Sequence, residues 1–269
     1  MFLLFPGGKH KALTFSYDDG HVFDRKLAEI FRSHKMSATF HLNSGKLQKE
    51  AERTDDTYVT VEELSDTYAG HEIACHGVWH RNPVGLSDTE KHIEFAEDRR
   101  ALEAMTGGLV QGLSYAYGAY DESTLNVVRM AGIKYSRTVE STGRFEIPKD
   151  FLRWHPTCHH ADPKLWDLAE DFLRAPEWLE LPLFYVWGHS YEFGYPDDWT
   201  IIEQLTDKLA GKDDIWYATN GEICEYVEAT RRLEYSADGK IVKNPSAVAI
   251  YFRVGGKEYM LPAGKCVEI

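Results

Sequence analysis

The sequence lacks long apolar runs, paired cysteines and an excess of basic residues. No stretch reaches the roughly 18 apolar residues that a membrane-spanning helix needs, so we expect no membrane partner. The four cysteines are widely spaced and form no C-x-x-C pair, which argues against a structural zinc knot or a dense disulfide framework. The formal net charge of −13 repels nucleic acid and anionic membranes. What remains is a globular protein with an acidic surface.

The N-terminal segment, residues 1–8, shows no targeting signal. It has no basic region, and its apolar run is too short for a signal peptide. We therefore expect a cytoplasmic protein, with a leader already trimmed from the sequence as the alternative. A chain of 269 residues, 43% of them hydrophobic, is long enough to bury the core of one large domain.

Strand-like and helix-like segments alternate along most of the chain. Ala12–Ser16 is typical of a strand, and Val22–His34 carries apolar residues at helical spacing. About seven such β/α units follow one another, which favours a parallel α/β architecture, either a barrel or an open sheet.

The pattern changes after residue 232. Ala247–Val254 and Lys257–Leu261 flank Gly255-Gly256, which predicts a β-hairpin. We therefore predict two units: an α/β unit over residues 1–234 and a small β appendage over residues 235–269.

Two adjacent carboxylates, Asp18 and Asp19, follow the first strong strand and precede Gly20. Active sites of α/β folds collect at the carboxyl ends of strands. Neighbouring side chains point in different directions, so one carboxylate can bind a metal while the other accepts a proton. A helix cap or an Asp-Gly turn is the structural alternative.

Two histidine pairs have a spacing of four residues. His76 and His80 would share one face of a helical segment, and His76 ends an apolar strand, as Asp18 does. His155 and His159 form the second pair, but Pro156 interrupts any regular element there. The first pair is therefore the better candidate for metal ligands.

Two further strands end in residues suited to substrate. Tyr115 and Tyr117 close one of them, where aromatic rings suit sugar stacking and a backbone N–H suits an oxyanion. Trp187 and His189 close a later strand. A histidine at that position could protonate a leaving amine, although a lone histidine is more often structural.

The order of these motifs resembles that of the polysaccharide deacetylases, carbohydrate esterase family four. The series is Asp-Asp-Gly, His-x-x-x-His, Tyr-x-Tyr-Gly and an aromatic strand ending in His, and it extends from about residue 11 to residue 230. The resemblance implies a distorted (β/α)7-type barrel. It also implies that Asp18 is the catalytic base, that His189 is the acid, and that the Tyr117 N–H contributes to the oxyanion hole. The implied metal ligands are Asp19, His76 and His80.

The chain departs from the family pattern at two positions. The third motif often begins with an arginine that orients the base, and here that position is Ser114. The Asp-Trp motif that orients the acid is not evident either. Arg153-Trp154, Asp162 and Glu192 are the candidates to replace it, and the sequence does not choose among them.

Together these features predict a hydrolase that uses one divalent metal, with zinc as the expected ion, to remove acetyl from an N-acetylated carbohydrate. The alternatives are a cytoplasmic hydrolase of a small non-sugar amide and a non-catalytic carbohydrate-binding relative. Aromatic residues around the predicted site favour a sugar ring, and the predicted substrate contacts are Tyr115, Tyr120 and Trp187.

Overall fold

The computed structural model describes all 269 residues. The strands are β1 (Phe2–Leu4), β2 (Lys11–Asp18), β3 (Thr39–Leu42), β4 (Glu72–Cys75), β5 (Gly112–Ser114), β6 (Tyr135–Arg137), β7 (Cys158–His159), β8 (Leu183–His189), β9 (Ile215–Tyr217), β10 (Glu234–Tyr235), β11 (Ile241–Lys243), β12 (Ile250–Val254), β13 (Lys257–Leu261) and β14 (Cys266–Glu268). The α-helices are α1 (Asp24–Ser33), α2 (Leu64–Thr67), α3 (Asp88–His92), α4 (Asp98–Thr106), α5 (Glu122–Met130), α6 (Leu165–Leu173), α7 (Tyr191–Gly194), α8 (Thr200–Leu209) and α9 (Asn220–Arg231).

The main sheet is parallel and has β2 at its centre. Its strand order is β6-β5-β4-β3-β2-β8-β7, and β9 also pairs with the first residues of β2. All eight residues of β2 are buried, because helices cover the outside of the sheet and side chains fill its inside. The predicted distorted α/β barrel is confirmed.

The sheet curls so that one segment contacts both of its edges. Trp154 forms a parallel bridge with Arg137 of β6, and β7 pairs with β8 at the opposite edge. The inside of the barrel is narrow as a result, and the strand ends come close together.

The C-terminal residues form the predicted hairpin. β12 and β13 pair antiparallel around Gly255-Gly256, where both residues have positive φ, as a two-residue hairpin turn requires. The N-terminal strand β1 pairs with β12 in the same sheet, and β10, β11 and β14 form a second small sheet. The domain boundary at residue 234 stays a prediction.

The strand ends define one rim of the barrel. Asp18, Ser114 and His189 are the last residues of β2, β5 and β8, and His76 directly follows β4. This rim therefore contains every motif that the sequence singled out. No helix of the structure has the length and apolar character needed to cross a membrane.

Candidate active site

Three side chains on the rim bring their metal-binding atoms together. The Nε2 atom of His76 lies 3.9 Å from Oδ1 of Asp19, and the Nε2 atom of His80 lies 3.8 Å from the same oxygen. The three donor atoms lie within 4.8 Å of one another. The structure thus brings together the three residues that were predicted as ligands.

The segment from His76 to His80 is a loop, so the helical face that the spacing suggested is absent. Gly77 and His80 have φ angles of 83° and 58°, which fold the loop back until the two imidazoles are 4.6 Å apart between ring centroids. The spacing of four residues therefore works here through a tight turn.

Two buried carboxylates accept hydrogen bonds from the backbone of this loop and fix its conformation. Asp98 accepts hydrogen bonds from the backbone N–H groups of His76 and Gly77, at 3.0 and 2.9 Å, and Glu94 accepts one from Trp79 at 3.1 Å. A Cβ atom on Gly77 would lie 2.8 Å from the Glu94 carboxylate, so the close approach requires glycine. Glu94 belongs to a π-helical turn that joins α3 to α4, and such turns frequently occur at functional sites.

Both imidazoles are placed to act as metal ligands. His76 Nδ1 can donate to the Ser114 carbonyl oxygen at 2.9 Å or to the Ser114 hydroxyl oxygen at 2.7 Å, which turns Nε2 toward the other donor atoms. That Nε2 atom is buried and has no hydrogen-bond partner. Burial and the neighbouring His76 lower the pKa of His80 to about 4, so its ring is neutral at pH 7.

One carboxylate and two imidazoles form a donor set that fits zinc or a similar divalent ion. Lys46 also approaches the set, with its ammonium 3.4 Å from Asp19 Oδ1.

Asp18 is buried beside the metal-ligand candidates and is held by two partners. Its carboxylate forms an ion pair with Arg137 of β6, and the Ser114 hydroxyl donates to it at 3.0 Å. Burial alone would raise the pKa of Asp18, but the Arg137 guanidinium and the nearby His76 outweigh burial and hold the pKa well below its usual range. Asp18 is therefore a carboxylate at any physiological pH.

Arg137 is the residue that the sequence analysis missed. It comes from the strand next to Ser114, so a neighbouring strand supplies the guanidinium that the third motif lacks. Its side chain is fully buried, and its guanidinium lies 4.3 Å from the centre of the Trp187 ring. A charged residue at the end of a buried strand was the signal that could have found it.

His189 is the register partner of Asp18 on paired strands β2 and β8. Its Nδ1 atom lies 3.1 Å from Glu192, which also accepts the His189 backbone N–H at 2.9 Å. Burial alone would lower the pKa of His189, but the hydrogen bond to Glu192 and the charge of Asp18 raise it above its ordinary value. Of the candidates to orient the acid, Glu192 is in contact, whereas Arg153 pairs with Asp150 and Glu122.

Two of the three predicted substrate contacts have buried side chains, and the substrate-binding role of all three stays a prediction. Tyr115 is 1% exposed and donates its hydroxyl to the Leu152 carbonyl. Trp187 is 8% exposed, and Arg137 covers its ring. Tyr120 is half-buried and stacks on Tyr115.

Other aromatic rings are exposed around the donor atoms. Trp79 and Tyr117 are 58% and 66% exposed, and the Tyr117 ring meets His80 edge-on at 4.7 Å. On the other side, Tyr191 stacks on His189 at 4.9 Å, and Tyr195 is exposed beyond it. From the sequence, these rings could be predicted only as members of a long list of aromatic residues near strand ends.

Backbone strain is concentrated at the same place. Six residues other than glycine have positive φ, and three of them are Asp19, His80 and Tyr117. Left-handed backbone at such residues costs of the order of 1–3 kcal/mol each and clusters at functional sites.

The sequence matches the profile of one known protein family. The profile of the family "Polysaccharide deacetylase" matches residues 6–136. No curated protein matches the chain.

Two solved structures with TM-scores of 0.50 or more share the fold, and a third is less similar. A protein from Mycobacterium smegmatis, assigned as a polysaccharide deacetylase, is 17% identical with a TM-score of 0.63, over 86% of this chain and 94% of its own. A mutant of a family-four pseudoenzyme from Bacillus anthracis is 17% identical with a TM-score of 0.50, over 83% and 70%. A family-four carbohydrate esterase from Streptomyces lividans, in complex with acetate, is 14% identical with a TM-score of 0.48, over 77% and 90%.

At 17% identity the solved structures show a shared fold alone, whereas the profile match shows similarity of sequence. Residues 6–136 therefore match the polysaccharide deacetylase family by sequence, and the curled parallel sheet is the fold of the solved relative from Mycobacterium smegmatis.

Proposed function

We propose that the protein is a metal-dependent hydrolase that removes the acetyl group from an N-acetylated carbohydrate. One observation carries the proposal: the donor set of Asp19, His76 and His80 lies beside a second carboxylate, Asp18, which is 3.6 Å from His76 Nε2 and forms an ion pair with Arg137. A pseudoenzyme among the structural relatives means that family membership alone does not establish turnover.

Asp18 is the base of the proposed reaction. Its ion pair with Arg137 and its hydrogen bond from Ser114 fix the carboxylate and keep it ionised, so it is ready to accept the proton of an attacking water. A divalent ion held by the three donors would supply Lewis-acid chemistry, polarising the amide carbonyl and making water more acidic, which offsets the weak basicity of Asp18.

The other two roles concern the oxyanion and the leaving group. The Tyr117 backbone N–H would donate to the oxygen that becomes negative after attack. His189 would deliver a proton to the departing amine nitrogen, because an amine anion is too poor a leaving group to depart alone. The ion pair with Glu192 supports this role, since it favours the protonated ring.

The exposed and half-buried aromatic rings around the site favour a sugar substrate. Trp79 and Tyr117 lie on the side of His80, and Tyr191 and Tyr195 lie on the side of His189. Flat rings on both sides of a reacting centre suit the apolar faces of pyranose units. Zinc is the ion we propose, because the donor set contains two imidazoles and one carboxylate.

The test measures acetate release from N-acetylated chito-oligosaccharides, with simple formamides and ureides as the small-amide comparison. Asp18→Asn should keep the metal and lose roughly 10²–10⁴-fold in rate, whereas His80→Ala should lose the metal. Metal loss in Asp18→Asn would mean that the two aspartates are assigned the wrong way round. Hydrolysis of ureides alone would favour the small-amide alternative, and metal binding without turnover on any substrate would favour a non-catalytic relative.

A further inference from the structure

A second group of metal-binding side chains lies on the acid side of the rim. We call it the Glu192 cluster: Glu192 of α7 with the side chains of His159, His160 and His189. It shares no residue with the donor set of Asp19, His76 and His80.

The cluster is crowded around a single oxygen atom. Oε2 of Glu192 has the Nε2 atoms of His159 and His160 at 3.2 and 3.4 Å. The Nδ1 and backbone nitrogen atoms of His189 lie at 3.1 and 2.9 Å from it. A carboxylate oxygen has about two lone pairs, so four nitrogens cannot all donate to it in good geometry. At least one ring nitrogen therefore lacks a good hydrogen bond to this oxygen. That nitrogen can instead offer its lone pair to a cation between the ring and the carboxylate.

The cluster contains one neutral ring and is accessible from solvent. Burial lowers the pKa of His160 to about 3, and this neutral ring has a buried Nδ1 without a hydrogen-bond partner. The side chains of His159, His189 and Glu192 keep 21%, 20% and 34% of their exposure, so an ion can enter from solvent.

We propose that His159, His189 and Glu192 bind a second divalent cation. Their three donor atoms lie within 4.8 Å of one another. The two nitrogen–oxygen separations, 3.2 and 3.1 Å, are close to the roughly 3.3 Å between ligand atoms around a tetrahedral zinc with bonds of about 2.0–2.1 Å.

A cation bound at this site would prevent His189 from acting as the acid, a consequence that rests on the proposed function. A cation bound to Nδ1 of His189 displaces the proton shared with Glu192. The ring then keeps one proton on Nε2 as an imidazole, which is a far weaker acid than an imidazolium. The leaving amine would lose its proton donor, so the second ion is inhibitory.

The binding test titrates the metal-free full-length chain with Zn²⁺ alone by calorimetry, with elemental analysis of the saturated protein. Wild type should bind two ions, and His159→Gln and His80→Ala should bind one each. His34→Gln is the matched control, since His34 is a surface histidine paired with one carboxylate, Asp207, at 2.8 Å, and this variant should bind two.

Saturation of wild type at one ion, or two ions in His159→Gln, would overturn the second site. Circular dichroism checks the fold of each variant. If His159→Gln does not fold, the His80→Ala arm still decides, because it leaves the Glu192 cluster intact.

The activity test uses N-acetylated chito-oligosaccharide and compares each variant with its own rate at one equivalent of Zn²⁺. Excess Zn²⁺ should lower the wild-type rate on the order of 10²-fold, the value of a general acid, and should not lower that of His159→Gln. Equal inhibition of both proteins would overturn the inhibitory role. Two bound ions with no turnover at all would leave the second site standing and overturn only the proposed function.

Discussion

At the scale of single residues, the sequence identified the candidate reactive side chains but not the residues that position them. Asp18, Asp19 and His76 stand in recognisable local patterns. Arg137 is 119 residues away from Asp18 along the chain, and only the curled sheet brings them together. From the sequence, Glu192 was one of several candidates. Whether a carboxylate three residues after His189 contacts that histidine depends on how α7 folds, which the sequence pattern does not show.

The pair of Asp18 and Arg137 should be strongly coupled, since both side chains are at least 97% buried. Arg137→Met leaves a buried carboxylate without its partner and should lower the free energy of unfolding by about 3–5 kcal/mol. Adding Asp18→Asn to that variant should restore part of the loss, with a coupling of about 1–3 kcal/mol in urea unfolding.

Arg25→Met is the control, because Arg25 and Glu63 form an exposed ion pair that contributes at most about 1 kcal/mol. Losses from Asp18→Asn and Arg137→Met that simply add would show that the two groups do not interact.

At the scale of elements, most strands and helices were predictable. The helix predicted over residues 22–34 is α1, and the predicted hairpin is β12 and β13. Residues 88–106 carry apolar residues at helical spacing, but they form α3, a π-helical turn and α4 rather than one α-helix. A single extra residue per turn leaves the apolar pattern nearly unchanged, so periodicity could not reveal it, and the turn places Glu94 under the metal-ligand loop.

The beginning of α4 should control metal affinity through Asp98. Its carboxylate accepts three backbone N–H groups, from Ser44, His76 and Gly77. Asp98→Asn puts an N–H₂ group against one of these donors, so the loop shifts and metal affinity should fall roughly 10–100-fold in a chelator competition. Asp88→Asn, on the exposed side of α3, should leave the affinity unchanged. Equal affinity in both variants would rule out this support.

The first turn of α1 should make stability depend on pH. Asp24 is buried, with the Tyr68 hydroxyl donating to it at 2.8 Å, and burial raises its pKa from 3.8 to about 7. Between pH 4 and 7 the folded state therefore binds more protons at this group than the unfolded state, and its contribution to stability falls as pH rises. The melting temperature of Asp24→Asn relative to wild type should accordingly be higher at pH 8 than at pH 5.

Comparing variants at each pH cancels the titration of all other groups. Asp66→Asn, on the exposed face of α2, should keep the same difference from wild type at both pH values. A pH-independent difference for Asp24→Asn would mean that Asp24 is ionised in the folded protein across this range.

At the scale of the whole molecule, the C-terminal strands are part of the core. One buried cluster combines Phe5 and Tyr226 with Ile250, Phe252 and Leu261 of the hairpin. Phe252→Ala should lower the free energy of unfolding by about 3–5 kcal/mol in urea unfolding. Met260→Ala, on the neighbouring strand and 56% exposed, should change it by less than about 0.5 kcal/mol. Similar small effects for both would make the appendage an independent unit.

The direct pairing of β2 with β8 has a consequence for how this protein can diversify. Asp18 and His189 are opposite each other on one ladder, so the backbone separation between the proposed base and the proposed acid equals the spacing of two neighbouring strands, about 4.8 Å. Hydrogen-bonded strands keep this interval when loops change in length or sequence. Segments that carry no proposed ligand or catalytic group, such as the one that presents Tyr195, can therefore be exchanged to accept new substrates while this interval stays constant.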